Sequence, residues 1–496
     1  MKEILYVQAG ELSNYTGTHF WNTQECYMGT NEIESLNQIN PSISFCENVN
    51  EEGTATLCPR ALIFDRKAHF GSISSPGELG IHNNTRKNTH STWNGAMVEV
   101  RHEEIPKSHY QTLLEEGVEA TQSGESIGSM QKNIRFWSDY NRLYYLSRSL
   151  QRVPDAGATN LTWLEEQATF DLYDKETDVI DGSLRRLVED CDNLQGLQLM
   201  NDTNDFGGFI RGFLACFRDE YLKLPSLTFP TISMGPRYIS ASTQDAEERA
   251  LVNEALFLRD LSELSTMNIV IQEPSFWPTS DWERTLGWPG HSLYHQSALL
   301  SSIYETATLP LRQTSSGEDM STICQLLKCQ NATPYGELVG RLIPSQIFKK
   351  NEIMNLSSRH LAQVFSQLDV TRGFSSNSLQ DYEKWSLLKN SAVAAPYIRS
   401  FHTTTYPLPT SFPSFPEAAV KFSPEQRSTT IRAVPVIASM STSSNVALTL
   451  QNYAELVDQH IKSFGRLHPS SSMGLSSDEL KDLADDLWRL NDGAQG

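Results

Sequence analysis

The residues best placed to do chemistry in this chain are Gly10, Asn14 and Gly17. Ile4 to Val7 is a short apolar, β-favouring run. The chain then turns at Gly10 and enters ELSNYTGTHFWN, where Ser13 and Asn14 are helix-starting residues and Phe20-Trp21 an apolar anchor. Strand, glycine turn and helix form the first βα unit of a nucleotide-binding sheet, in which backbone N–H groups at the helix start approach a phosphate. The competing reading is a turn that the fold requires whatever it binds. Other sets offer less. His291 and His295 are four apart, but no HExxH glutamate lies between them, so zinc is not expected. Gly182-Ser183 lacks a nucleophile-elbow frame, which leaves hydrolase chemistry without support.

Composition narrows the classes. The 496 residues suffice for two or three domains, and 39% hydrophobic residues support sizeable cores. The formal charge of −20 repels nucleic-acid backbones, and Lys and Arg form no cluster, so direct nucleic-acid binding is not expected. Seven scattered cysteines read as small hydrophobes in a reducing compartment; Cys324 and Cys329, five apart, match no zinc spacing. The most apolar window, Phe206 to Phe217, is about half a membrane span and contains Arg211. No transmembrane segment is expected. The first 40 residues carry five glutamates and no arginine, unlike a cleavable mitochondrial presequence.

The elements that must position Gly10 follow from periodicity. Arg60 to Asp65 reads as a short buried strand ending in an acid, and Met97 to Arg101 as another. Residues 71–95 and 117–131 read as loops and 154–160 as a linker. Helices are expected over 178–192, 209–221, 245–264, 292–306, 447–464 and 478–490, and strands over 196–200 and 432–439. The aromatic run Phe136 to Tyr145 reads as core packing. Four prolines in 407–416 exclude regular helix and predict an extended surface segment. Strands alternating with helices imply an α/β fold with a mostly parallel sheet. The organisation expected is a domain over 1–310 with insertions near 71–95 and 117–175, a smaller α+β domain over 311–465, and a linker with a terminal helix over 466–496.

Several segments resemble tubulins. The opening strand and QAG turn, PRALIFD (59–65), LQGLQL (194–199) with RDEY (218–221), and Asn253-Glu-Ala-Leu256 follow tubulin order over about the first 310 residues. YVQAGELSNYTGTHFWN, FWSDY, NDTNDFGGF and PLPTSFP are similar to the misato family, called mitochondrial DNA inheritance proteins in fungi. That family carries a misato segment and a tubulin-like segment, the latter expected here after about residue 130. The resemblance implies a tubulin-like, Rossmann-type sheet.

It also implies a guanine-nucleotide site, and the departures lie there. Where tubulins read GQCGNQIG, this chain reads GELSNYTG and keeps Gly10, Asn14 and Gly17. Where tubulins read GGGTGSG, residues 202–208 read DTNDFGG, keeping Gly207 and Gly208. Two close like charges cost on the order of 1–4 kcal/mol at surface-like dielectric, so Asp202 and Asp205 oppose a phosphate. Met320, Thr322 and Gln325 fall where the catalytic Asn, Asp and Glu would stand, with Glu318 and Asp319 at the wrong spacing. Asn253 alone keeps a base contact, and Trp288 or Tyr294 lies near the place of the guanine-stacking Tyr. The expected residual site is therefore Gly10, Asn14, Gly17, Gly207, Gly208 and Asn253, with GTP as the cofactor it would take, no metal and no catalytic residue. The implied function is non-catalytic: organisation of mitochondria and inheritance of their DNA through protein partners, cytoskeletal or on the mitochondrial surface, at its cytosolic face and in the cytoplasm. The alternatives are a divergent GTP-binding protein that regulates mitochondrial morphology and a polymer-forming element.

Overall fold

A computed structural model of the chain describes residues 2–28, 39–49, 55–73, 105–116, 131–155, 161–233, 244–277, 279–314, 317–328, 333–344, 353–358, 364–390, 397–416, 419, 432–467 and 475–495. The strand expected over 97–101 and most of the loops expected over 71–95 and 117–131 lie outside these residues.

The strands are β1 (Glu3–Ala9), β2 (Phe45–Val49), β3 (Ala55–Pro59), β4 (Ala61–Arg66), β5 (Leu150–Val153), β6 (Leu194–Asp202), β7 (Ser226–Ile232), β8 (Met267–Gln272), β9 (Tyr335–Leu342), β10 (Met354–Asn355), β11 (Val364–Arg372), β12 (Tyr397–Thr403), β13 (Tyr406–Pro407), β14 (Ala433–Val434) and β15 (Val436–Ser443). The helices are α1 (Glu11–Cys26), α2 (His109–Glu115), α3 (Trp163–Thr177), α4 (Arg185–Glu189), α5 (Thr203–Glu220), α6 (Gln244–Leu264), α7 (Thr279–Leu286), α8 (Leu293–Thr308), α9 (Met320–Lys328), α10 (Ser376–Asn390), α11 (Ser444–Leu467) and α12 (Ser477–Ala494).

One sheet carries the molecule, in the order β12-β11-β15-β9-β8-β7-β6-β1-β4-β5, with β10 beside β9. Every neighbouring pair from β5 to β9 is parallel; β15 runs antiparallel to β9 and β11. Central strands such as β1 are buried along their whole length, which suits their continuous apolar runs. The chain leaves β1 for β4 and β5 on one side, then returns to β6 on the other. The carboxyl ends of β1 and β6 therefore form the topological switch point, where such sheets bind ligands. β9 pairs with β8, so the sheet crosses residue 311 without a break.

Helices cover both faces. α1, α8 and α9 pack one face with Tyr6, Phe20, Trp21, Trp137 and Tyr140. α3, α5, α6, α11 and α12 cover the other with Leu5, Val7, Phe209 and Phe213. The aromatic run 136–145 is core, as expected, with Trp137, Tyr140 and Tyr145 almost wholly buried.

The proline-rich segment corrects its expectation. Pro407, Pro409, Ser411, Phe412 and Pro413 of this segment are buried, while Thr410, Ser414 and Pro416 stay exposed. Proline lacks an N–H, so such a segment needs fewer partners in a core. Its carbonyls still need donors: Tyr294 Oη donates to Ser411 O (2.7 Å), Trp288 Nε1 to Ser414 O (3.0 Å) and Gln131 Nε2 to Phe412 O (3.3 Å).

A buried ion cluster ties α1 to the second half of the chain. Glu305 on α8 meets Arg372 Nη1 at 2.7 Å and Arg312 Nη2 at 3.2 Å. Tyr27 Oη and Gln24 Nε2, at the end of α1, also donate to Glu305. The positive charge in excess is spread further: Arg372 donates to the carbonyls of Thr404 and Thr405 and lies over the Tyr406 ring, and Arg312 lies over the Phe20 ring. Removing one partner of such a pair leaves a charge buried and unpaired. Glu305→Gln is therefore expected to destabilise the fold by about 3–5 kcal/mol in urea denaturation. A loss below about 1 kcal/mol would mean that water reaches the arginines.

Candidate functional site: a phosphate seat filled from within

Gly10 closes β1 with φ +103°, a conformation that favours glycine, and α1 begins at the next residue. Ser13 and Asn14 are thus inside the first turn and do not start the helix. The first N–H groups of α1 have no intrahelical acceptor and face the switch point. Asp202, the last residue of β6, meets them. Its Oδ2 accepts from Leu12 N–H (2.8 Å), and its Oδ1 accepts from Ser13 N–H (3.1 Å) and the Ser13 hydroxyl (2.6 Å). A Cβ on Gly10 would stand 2.5 Å from Asp202 Oδ2. Gly10 is thus required by the carboxyl that lies against it. That carboxyl holds the donors a phosphate would use.

The other expected site residues are also engaged within the chain. Asn14 turns its amide inward, donating to Phe64 O (2.9 Å) and Asp65 Oδ2 (2.8 Å). Asp65 is wholly buried and also accepts from Trp137 Nε1 and Arg66 N–H and pairs with His69 Nδ1. That hydrogen bond raises His69 to about 9, so a cation stands near Glu11. Gly17 lets α1 lie on β1: a Cβ there would collide with the Gln8 amide.

Residues 202–208 form no glycine loop. Asp202 ends β6 and Thr203 begins α5, which places Gly207 and Gly208 in the helix. Thr203, Asn204 and Asp205 favour a helix start, and Phe206 is buried, so the helix begins where glycines would keep a loop open. The two glycines lie under α3. Gly208 N–H donates to Glu166 Oε2 at 2.6 Å, and a Cβ on Gly208 would stand 2.7 Å from Glu166 Cβ. Asn253 does not face a base: its amide donates to Leu161 O (3.0 Å), just before α3. Residues 161–177, nearly all of them within the expected insertion over 117–175, therefore cover the second loop and Asn253 together.

Trp288 stacks on Phe415, with ring centroids 5.1 Å apart, and Tyr294 lies beneath the proline-rich segment. Neither stands as a stacking platform at the switch point. In the candidate catalytic loop, Asp319 accepts from Lys2 Nζ (2.6 Å) and caps α9 at Thr322 N–H (2.9 Å), while Glu318 pairs with Arg399. Met320 is buried, and Thr322 and Gln325 are exposed. Among the described residues, no three His, Cys, Asp or Glu side chains come together as metal ligands. These residues do not fit a bound guanine nucleotide: the α1 donors, Gly208 and Asn253 are all engaged within the chain.

Reading the sequence alone missed three acids. In the sequence Asp202 reads as a repulsive charge; in the fold its two oxygens occupy the donors that a phosphate would use. Glu166 fell in an insertion that no motif covers. Glu254, beside Asn253, is wholly buried and joins four elements: it accepts from Thr203 Oγ1, from Ser233 N–H and hydroxyl, and from Tyr453 Oη. The only signal was an acid at the end of a central strand opposite a helix start.

Two measurements follow from this arrangement. Asp202→Ala strands the Leu12 and Ser13 donors and is expected to cost about 1–3 kcal/mol in chemical denaturation. Sulfate stabilises folded chains generally, so it should raise the stability of the variant by more than that of the wild type; equal responses would mean that Asp202 does not occupy the seat. Burial raises the Glu166 carboxyl to about 8, opposed by its bond from Gly208 N–H. Burial likewise raises Asp202 to about 8, against the Ser13 and Leu12 donors. A carboxyl raised in the fold contributes stability that is present below its unfolded pKa, near 4.5 for Glu, and is lost as pH rises through about 8. The melting temperature of Glu166→Gln should thus match the wild type near pH 5 and exceed it near pH 9. A constant offset at all pH values would refute the buried, protonated carboxyl.

Comparison with known proteins agrees with this architecture. A family model described as a Misato Segment II tubulin-like domain matches residues 2–116, and a tubulin domain matches residues 128–313. Protein dml1 of Aspergillus niger is 28% identical over 98% of this chain and 100% of its own length. Protein DML1 of Gibberella zeae is 29% identical over 75% of this chain and 74% of its own. Protein DML1 of Phaeosphaeria nodorum is 32% identical over 64% and 60%. The sheet, its switch point and these matches together make the chain a member of the misato family of tubulin-like proteins.

Proposed function

We propose that this chain is a non-catalytic tubulin-like scaffold that organises mitochondria and the inheritance of their DNA by binding protein partners. The observation that carries the non-catalytic part is Asp202, which holds the α1 N–H groups with two oxygens. A triphosphate would have to expel this carboxyl and lift α3 from Gly208. The mitochondrial part rests on membership of the misato family. An effect on mitochondrial DNA would pass through partners, because a chain of charge −20 is repelled by a nucleic-acid backbone. Among the described residues no helix is long and apolar enough to cross a membrane, which is consistent with recruitment to the organelle's cytosolic face by a partner.

One observation favours the second reading, a divergent guanine-nucleotide binder. Asn201 is buried beside Asp202, and neither atom of its amide has a hydrogen-bond partner. A polar ligand could satisfy it, and so could a water molecule.

The purified chain should carry no guanine nucleotide and should bind GTP with magnesium no tighter than about 10 μM in calorimetry. Tighter binding that is lost on closing the seat would favour the second reading. Tagged protein should localise to mitochondria, and its depletion should alter their shape and lower retention of their DNA. A diffuse protein whose loss changes neither would remove the mitochondrial role.

A further inference from the structure

We propose that Cys46 and Cys58 are an oxidation site, where a cross-strand disulfide locks the β2–β3 hairpin. The two residues are direct register partners in this antiparallel pair. Opposed residues on such strands project from the same face and lie about 4.5 or about 5.5 Å apart at Cα. A disulfide spans about 4.4–6.8 Å at Cα, so either kind of pairing accommodates it without moving the backbone far. Both thiols are free and buried, and Cys46 Sγ already lies 3.5 Å from Cys58 O. Their surroundings are the core that also holds Leu5, Val7, Leu62 and Leu146.

Position gives the bond a consequence. Only Arg60 separates β3 from β4, the strand beside β1. The hairpin also reaches β1 through Ser44 Oγ, 2.8 Å from Tyr6 Oη. A two-stranded hairpin is marginal by itself, so local opening is the step that exposes the thiols. Burial raises the Cys58 thiol to about 11, which keeps it unreactive until the hairpin opens. A third thiol stands nearby: Arg60 Nη1 lies 3.7 Å from Cys191 Sγ.

The oxidant is a low-molecular-weight disulfide of the glutathione class. One cysteine thiolate attacks it, forming a mixed disulfide and releasing one small thiolate. The second cysteine thiolate attacks the protein sulfur of that mixed disulfide and releases the other. The protein loses two protons and two electrons. The electrons reduce the oxidant's S–S bond, and the two released thiolates take up the protons.

The test treats the full chain with oxidised glutathione, alkylates remaining thiols and maps peptides without reduction. The expected product is one linked pair joining Cys46 to Cys58, about 2 Da lighter than the two thiol peptides together. Backbone amides of residues 45–49 and 55–58 should exchange about tenfold more slowly after oxidation. Cys191→Ser should keep the link, and Cys58→Ser should make exchange insensitive to oxidant. Full alkylation of both thiols in the treated wild type, or a link from Cys46 to Cys191 instead, would overturn the proposal.

Discussion

A helix that starts at the carboxyl edge of a parallel sheet presents N–H groups that nothing within the helix can satisfy. In this protein the rest of the site follows from how α1 meets that constraint. Asp202 supplies two oxygens from the neighbouring strand, so β6 must run far enough to deliver it and Gly10 must lack a side chain to admit it. Because Asp202 ends the strand, α5 starts at once, and the glycines after it become helix surface. That surface is free for α3, which packs there through Glu166, Trp163 and Phe170. A phosphate would satisfy the same donors but would come and go. A carboxyl on the chain satisfies them permanently.

The opposite end of α1 is held by a different interaction. Gln24 and Tyr27 donate to Glu305, which is also held by Arg312 and Arg372. A buried ion cluster stabilises a fold weakly, because desolvation offsets most of the Coulomb attraction. It is selective, however: the placement of α8 against β11 must bring Arg372 to Glu305, and that of α1 must bring Gln24 and Tyr27 to the same carboxylate. Together with the unbroken sheet from β8 to β9, this joins the two halves of the chain through covalently distant residues. α3 and the proline-rich segment then pack onto opposite faces of this frame and close it.

Much of the fold was legible in the sequence. β1, β4, β6 and the helices α5, α6, α8, α11 and α12 follow from apolar periodicity and turn residues, because burial on one or two faces writes a period into the chain. The expectation failed where side chains meet partners far away in sequence. Residues 407–416 read as surface because four prolines cannot join a ladder; burial came instead from donors on Gln131, Trp288 and Tyr294. Residues 202–208 read as a loop because an aligned glycine loop stands there in tubulins, yet the local residues favour a helix start. Asn14 and Asn253 have the right residue type, but their amides are spent on Asp65 and Leu161.

The sequence by itself determined the α/β architecture, the family resemblance and the loss of the glycine and acid patterns that nucleotide chemistry needs. These are local properties: periodicity, glycine content and the spacing of like charges. Only the tertiary structure decided what became of the vacated seat. Whether Asp202 repels a ligand or replaces it depends on where its two oxygens lie relative to the N–H groups of Leu12 and Ser13, some 190 residues away. Hydrogen bonds act over about 3 Å and carry no mark in the order of residues. The same holds for Glu166 on Gly208 and for Cys46 opposite Cys58, whose pairing depends on register and packing.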